Sequence, residues 1–150
     1  MDRNLTILIA EDDEDYQEIL KRALRDIGLK NPVRILPNGD EIIEYLKGAG
    51  QYSDRSANPY PSVLFLDVKM PGTNGFDILR WLRQHPDYLV MPTMIFSSSN
   101  LERDIRLAYE LGANAYFIKP ARFEDLKAML QTAHDFWALC AKVPVGKRGE

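Results

Sequence analysis

Cysteine is almost absent from this chain. Cys140 stands alone among 150 residues, which excludes an intramolecular disulfide and a multi-cysteine metal site and suits a reducing cytoplasm. An excess of charge of one sign is lacking too. Lys and Arg total 19 against 22 Asp and Glu, a net charge of −3, so no broad electrostatic grip on nucleic acid or on an anionic membrane surface is expected. No apolar run is long enough to span a bilayer. The opening MDRNLTILIAEDDEDY breaks its short apolar stretch with acids and reads as neither signal peptide nor membrane span. What is present is core-forming material, 45% hydrophobic against 27% charged. That suits a single domain over 1–150, with its core at about 5–141, a tail at 142–150 and no output domain.

The apolar residues alternate between two periods. Leu5 to Ala10 is a short continuous run, the mark of a strand buried on both faces. Tyr16, Ile19, Leu20, Ala23, Leu24 and Ile27 then recur at helical spacing, and Gly28 is a natural stop. Pro32 to Leu36 predicts a second strand. Asn38 with Glu41 three residues on predicts a cap for a helix burying Ile42, Ile43 and Leu46 and ending near Gly48. Further strands are predicted at Val63–Leu66, Thr93–Phe96 and Ala115–Ile118. A third helix is expected over Phe76–Gln84, and a fourth with Leu101, Ile105, Ala108 and Leu111 on one face. The last runs from about Arg122 to Ala141 and buries Phe123, Leu126, Leu130, Ala133 and Trp137. Repeated strand-then-helix units predict an α/β fold: a flavodoxin-like, doubly wound parallel sheet of order 2-1-3-4-5. Gly48 to Pro61 stands outside the pattern as a long polar loop.

The positions of the acids are the informative feature. Glu11, Asp12 and Asp13 follow the first strand directly and Asp67 ends the third; the expected order makes those strands neighbours. Two carboxylates about 4 Å apart repel by roughly 4 kcal/mol at an effective dielectric near 20, so a cluster of them asks for a cation or a proton. A hard, oxygen-seeking ion such as Mg²⁺ fits. Taken alone, the Glu11-Asp12-Asp13 run reads equally as a helix cap. Asp67 is followed by the Pro and Gly turn VKMPGTNG, the fourth strand ends at Ser97-Ser98-Ser99, and the fifth ends at Lys119-Pro120. Acid, acid, hydroxyl and ammonium at four strand ends read together as a pocket for a metal and a phosphoryl group.

With these motifs in place (ILIAEDD, FLDVKMPGTNG, MIFSSSN and AYFIKP, in family order and spacing), the chain resembles the receiver domain of two-component response regulators, a CheY-like (βα)5 fold. The resemblance implies that Asp67 is the phosphoacceptor, taking the phosphoryl group from a sensor histidine kinase with Mg²⁺ as cofactor. It implies Asp12, Asp67 and the Lys69 backbone carbonyl as metal ligands, with Glu11 acting through water and Asp13 serving the first helix. Ser97 resembles the switch hydroxyl, Tyr116 the aromatic that moves with it, and Lys119 the lysine that pairs with the phosphoryl group. The family also implies a cis Lys119–Pro120 bond, and an output face made by helix four, strand five and helix five. Lys69 and Ser99 occupy positions that tune the acyl phosphate's lifetime in receivers.

The loop residues Tyr52-Ser53-Asp54-Arg55 and Tyr60-Pro61, with the ending Asp135-Phe136-Trp137, are most similar to receivers paired with phytochrome-type or hybrid histidine kinases. That branch implies a possible homodimer through the carboxyl-terminal helix and tail, where Phe136, Trp137, Leu139, Cys140 and Val143 are apolar. Two other functions are compatible with parts of this pattern. One is a protein-binding module that works without phosphorylation. The other is a metal-dependent phosphohydrolase, which would place a second Asp two residues after Asp67, where Lys69 stands. No dedicated enzyme activity is expected.

Overall fold

Among the described residues, three strands are buried along their whole length and two are not, and that difference orders the sheet. In the computed structural model, which describes residues 6–89 and 91–140, the buried strands are β1 (Ile7–Ala10), β3 (Val63–Leu66) and β4 (Thr93–Ser97). The half-exposed strands β2 (Val33–Leu36) and β5 (Ala115–Ile118) form the edges. All pairings are parallel and the order is β2-β1-β3-β4-β5, as the strand-helix alternation predicts.

Because successive strand residues face opposite ways, the sheet feeds two cores. Leu8, Ala10, Leu64, Leu66 and Ile95 pack with α2 (Gly39–Lys47), α3 (Gly75–Gln84) and α5 (Glu102–Glu110). Ile7, Ile9, Val63, Phe65 and Phe96 pack with α1 (Glu14–Asp26) and α6 (Phe123–Leu139). An additional short helix, α4 (Pro86–Leu89), precedes β4, so the fourth and fifth predicted helices are α5 and α6.

The structure differs from the sequence pattern at several places. Ile19 is 43% exposed: it lies about 100° round the helix from Leu20, beyond the buried stripe. Leu101 is the N-cap of α5 rather than part of its apolar face, and is exposed. The Lys119–Pro120 bond is trans, against the cis form implied by the resemblance; trans is the isomer an X–Pro amide favours by about 0.5–1 kcal/mol. The loop before β3 is ordered by side chains. It holds a 3-10 turn at Gly50–Tyr52 with Tyr52 buried, and its Asn58 is buried as well. The carboxyl-terminal tail and Val143 lie outside the described residues.

Candidate functional site

Register brings the site together before any side chain is considered. Ala10 and Leu66 are paired, so Glu11 and Asp67 leave neighbouring strands at the same level. The Glu11 amide continues the ladder onto the Leu36 carbonyl at 3.0 Å. On the other side Ser97 pairs with Ile118, and the Lys119 amide donates to the Ser97 carbonyl at 2.8 Å. The carboxyl ends of β1, β3, β4 and β5 therefore share one rim, where chain reversals leave room for chemistry.

On that rim Lys119 is the hub. Its Nζ donates to Glu11 Oε1 at 2.5 Å and to Asp67 Oδ2 at 2.8 Å. The ammonium also lies 4.4 Å from the centroid of the Tyr16 ring and 5.7 Å from that of Phe96, with the two rings stacked on each other. A cation over aromatic faces gains from their quadrupoles, most where water is excluded. Both acids are nearly buried, Glu11 at 1% and Asp67 at 5% exposure. Burial is the largest influence on the Glu11 carboxyl and lifts its pKa above 4.5, although Lys119 and the Asp13 amide pull it down. For Lys119 burial pulls the other way, but the contacts to Asp67 and Glu11 win and raise its pKa above 10.5.

Asp12 is half-exposed beside this pair, and carboxylate oxygens of Glu11, Asp12 and Asp67 lie within 4.8 Å of one another. Three hard oxygen donors against one ammonium leave the rim short of positive charge, which suits a small divalent cation. Asp13 takes no part in the cluster: its side chain caps α1 by accepting from the Asp15 and Tyr16 amides. Lys69 places its amide on Asp67 Oδ1 at 2.9 Å while its side chain points to solvent. The Ser97 side chain is fully buried and its oxygen accepts from the Ser99 amide at 3.2 Å. Tyr116 is half-buried on β5 and donates its hydroxyl to the Ser99 carbonyl at 2.9 Å.

Sequence reasoning missed three contributors. Tyr16 and Phe96 read as core positions on a helix and a strand, and nothing local reveals that they meet under Lys119. Gly75 opens α3 with its amide on the Asp67 carbonyl at 2.9 Å. A Cβ there would stand 2.6 Å from that same oxygen, so only glycine lets the helix approach the acid this closely. The one local hint was a glycine directly after the capping Asn74, where the capping box itself asks for none.

Residues 7–131 match the response regulator receiver domain family. The chain is a member of that family. This receiver is 28% identical over 138 residues to response regulator Rcp1 of Synechocystis, covering 92% of each chain. The solved Mn²⁺-bound form of response regulator Rcp1 superposes with a TM-score of 0.79, at 27% identity, over 93% of this chain and 99% of the other. A response regulator in red light signaling of R. palustris, RPA3017, gives a TM-score of 0.87 at 30% identity, with 93% and 98% covered. The phosphorylated cyanobacterial phytochrome response regulator RcpA gives 0.83 at 26% identity, with 94% and 99% covered. The receiver is thus similar to phytochrome response regulators, in a family whose acidic pocket takes Mg²⁺ or Mn²⁺.

Proposed function

We propose that this receiver accepts a phosphoryl group on Asp67 from the phosphohistidine of a sensor histidine kinase, and relays the event through the face formed by α5, β5 and α6. The observation that carries the reading is the Lys119 ammonium joined to Glu11 and Asp67, with Asp12 completing an acidic cluster on the shared rim. An Asp67 carboxylate oxygen forms the new bond to phosphorus as the donor's phosphorus–nitrogen bond breaks, and the imidazole leaves with the electron pair. Such transfer depends mainly on alignment and charge neutralisation. Lys119 neutralises charge from one side and stays paired with the phosphoryl oxygens afterwards. Asp12, Asp67 and the Lys69 carbonyl would hold Mg²⁺, with Glu11 acting through water; the ion supplies positive charge to the transferring group. Ser97 donates to a phosphoryl oxygen, and Tyr116 follows into the space it leaves.

The phosphoacceptor role makes the protein a signalling switch rather than a dedicated enzyme. Similarity to RcpA and to the R. palustris regulator supports a phytochrome-type or hybrid kinase as partner. We place the exchange in the cytoplasm, consistent with the free thiol of Cys140; among the described residues no helix is long and apolar enough to cross a membrane. The reading includes a homodimer built on α6, supported by Phe136 and Leu139, which are 59% and 85% exposed near the end of that helix. Labelling with a small radioactive phosphodonor tests the central claim. Incorporation should require Mg²⁺ and vanish in Asp67→Asn; label persisting at the wild-type level in that variant removes Asp67 as acceptor.

A further inference from the structure

The connection between β4 and α5 carries a chain of hydrogen bonds that phosphoryl transfer itself does not use. Ser99, 4% exposed, is its centre. The Ser99 amide donates to the Ser97 hydroxyl oxygen, and the Ser99 carbonyl accepts from the Tyr116 hydroxyl. Its side-chain hydroxyl donates to Asp104 Oδ2 at 2.5 Å and accepts from the Leu101 amide at 3.4 Å. One residue thus touches the switch hydroxyl, the switch aromatic and the first turn of α5. The two peptide planes flanking Ser99 are rigid, and its side chain occupies a limited set of rotamers. Fixing the hydroxyl therefore restricts where both the amide and the carbonyl point.

We propose that Asp104 is a positioning residue for the switch: by holding the Ser99 hydroxyl, it sets where the Ser97 side chain and the Tyr116 ring stand before the phosphoryl group arrives. This rests on the roles given to Ser97 and Tyr116 above. A purely local role is the competing account. The N-cap Leu101 offers no side-chain cap, so Ser99 and Asp104 also supply polar contacts to the start of α5. That account predicts lost stability with Tyr116 unmoved; the positioning role predicts that Tyr116 responds.

The test uses the full chain labelled with fluorotyrosine, with the Tyr116 fluorine signal assigned by its loss in Tyr116→Phe. Asp104→Ala and Ser99→Ala should each shift or broaden that signal in the ligand-free protein. Each should also weaken binding of beryllofluoride with Mg²⁺ by about threefold to tenfold, the effect of roughly one hydrogen bond. Asp104→Asn, which keeps an acceptor oxygen, should restore both readouts. The double alanine variant should be no worse than either single one, because both break the same link. An unmoved Tyr116 signal, an Asn variant as impaired as the Ala variant, or fully additive losses overturns the proposal. Wild-type protein that fails to bind beryllofluoride would count against the Asp67 reading instead, and the ligand-free fluorine signal would still decide the role of Asp104.

Discussion

A single ammonium serving two buried carboxylates makes Lys119 the residue with most at stake. Its side chain is 12% exposed, and those of Glu11 and Asp67 are 2% and 7%. Removing one partner of a buried ion pair strands the other charge at a cost of about 3–5 kcal/mol. Lys119→Met should therefore lower stability to urea by roughly 3 kcal/mol at pH 7 without divalent ions, with part regained when Mg²⁺ is added; an unchanged midpoint would show that the pair contributes little. Glu11 has the opposite tendency, since burial raises its pKa above 4.5. Between pH 4.5 and its folded value the carboxyl is then more protonated in the folded state than in the unfolded one. The resulting stabilisation is full below pH 4.5 and is lost as pH rises through the folded value. Glu11→Gln, measured in chelator, should gain stability relative to wild type as pH is raised from about 4 toward neutrality. A difference that stays flat with pH would contradict the assigned direction. Gly75 poses a sharper steric question. Alanine at this first helical position would gain at most about 1 kcal/mol of helix propensity, but its Cβ would meet the Asp67 carbonyl oxygen at 2.6 Å, and that neighbour is backbone. Overpacking of this kind costs about 1–3 kcal/mol, so Gly75→Ala should lower the thermal midpoint and slow labelling of Asp67 together.

Among the elements, the segment between α2 and β3 departs most from its sequence reading. Its polar composition reads only as a long loop, yet the segment is anchored to α2 and to the edge strand β2. Arg55 donates to the Leu46 carbonyl at 2.9 Å and to the Asn58 carbonyl at 3.2 Å, and its guanidinium lies 5.5 Å from the Tyr45 and Tyr60 ring centroids. Arg34 on the edge strand β2 reaches the Ala57 carbonyl and Asn58 Oδ1, each at 2.8 Å. Tyr52 places its hydroxyl on Glu41 Oε1 at 2.8 Å, and burial together with that carboxylate pushes the phenol up to about 12. Which of these polar groups meet is set by how the segment folds back on α2 and β2, so composition alone does not reveal them. Hydrogen bonds to a charged group contribute about 1.5–3 kcal/mol. Arg55→Ala should cost stability in that range by urea denaturation and leave Asp67 labelling at the wild-type rate, because Arg55 holds the carboxyl end of α2 and the segment enters β3 at the end opposite Asp67. Impaired labelling at unchanged stability would instead tie the segment to the site.

For the whole molecule, the end of α6 is where apolar side chains divide between core and surface. Trp137 turns inward, donating its indole N–H to the Met94 sulfur at 3.0 Å, whereas Phe136 and Leu139 remain exposed. Only part of the apolar ending therefore finishes the core, and the remainder is available to a second copy. Light scattering at micromolar concentration should give twice the chain mass for the wild type and the single mass for Phe136→Glu with Leu139→Glu; a monomeric wild type rejects the dimer. At this scale the local chemistry of the chain was sufficient for the strand-helix alternation, and right-handed crossovers turned that alternation into the sheet order. It also placed Glu11, Asp12, Asp67, Ser97 and Lys119 at strand ends, because position along a strand is a local property. Tertiary structure alone decided which of them touch, how Tyr16 and Phe96 come under the lysine, why Gly75 must lack a side chain, and how Ser99 links Tyr116 to Asp104. Those facts depend on distances between segments far apart in sequence, which packing sets and no periodicity in the chain encodes.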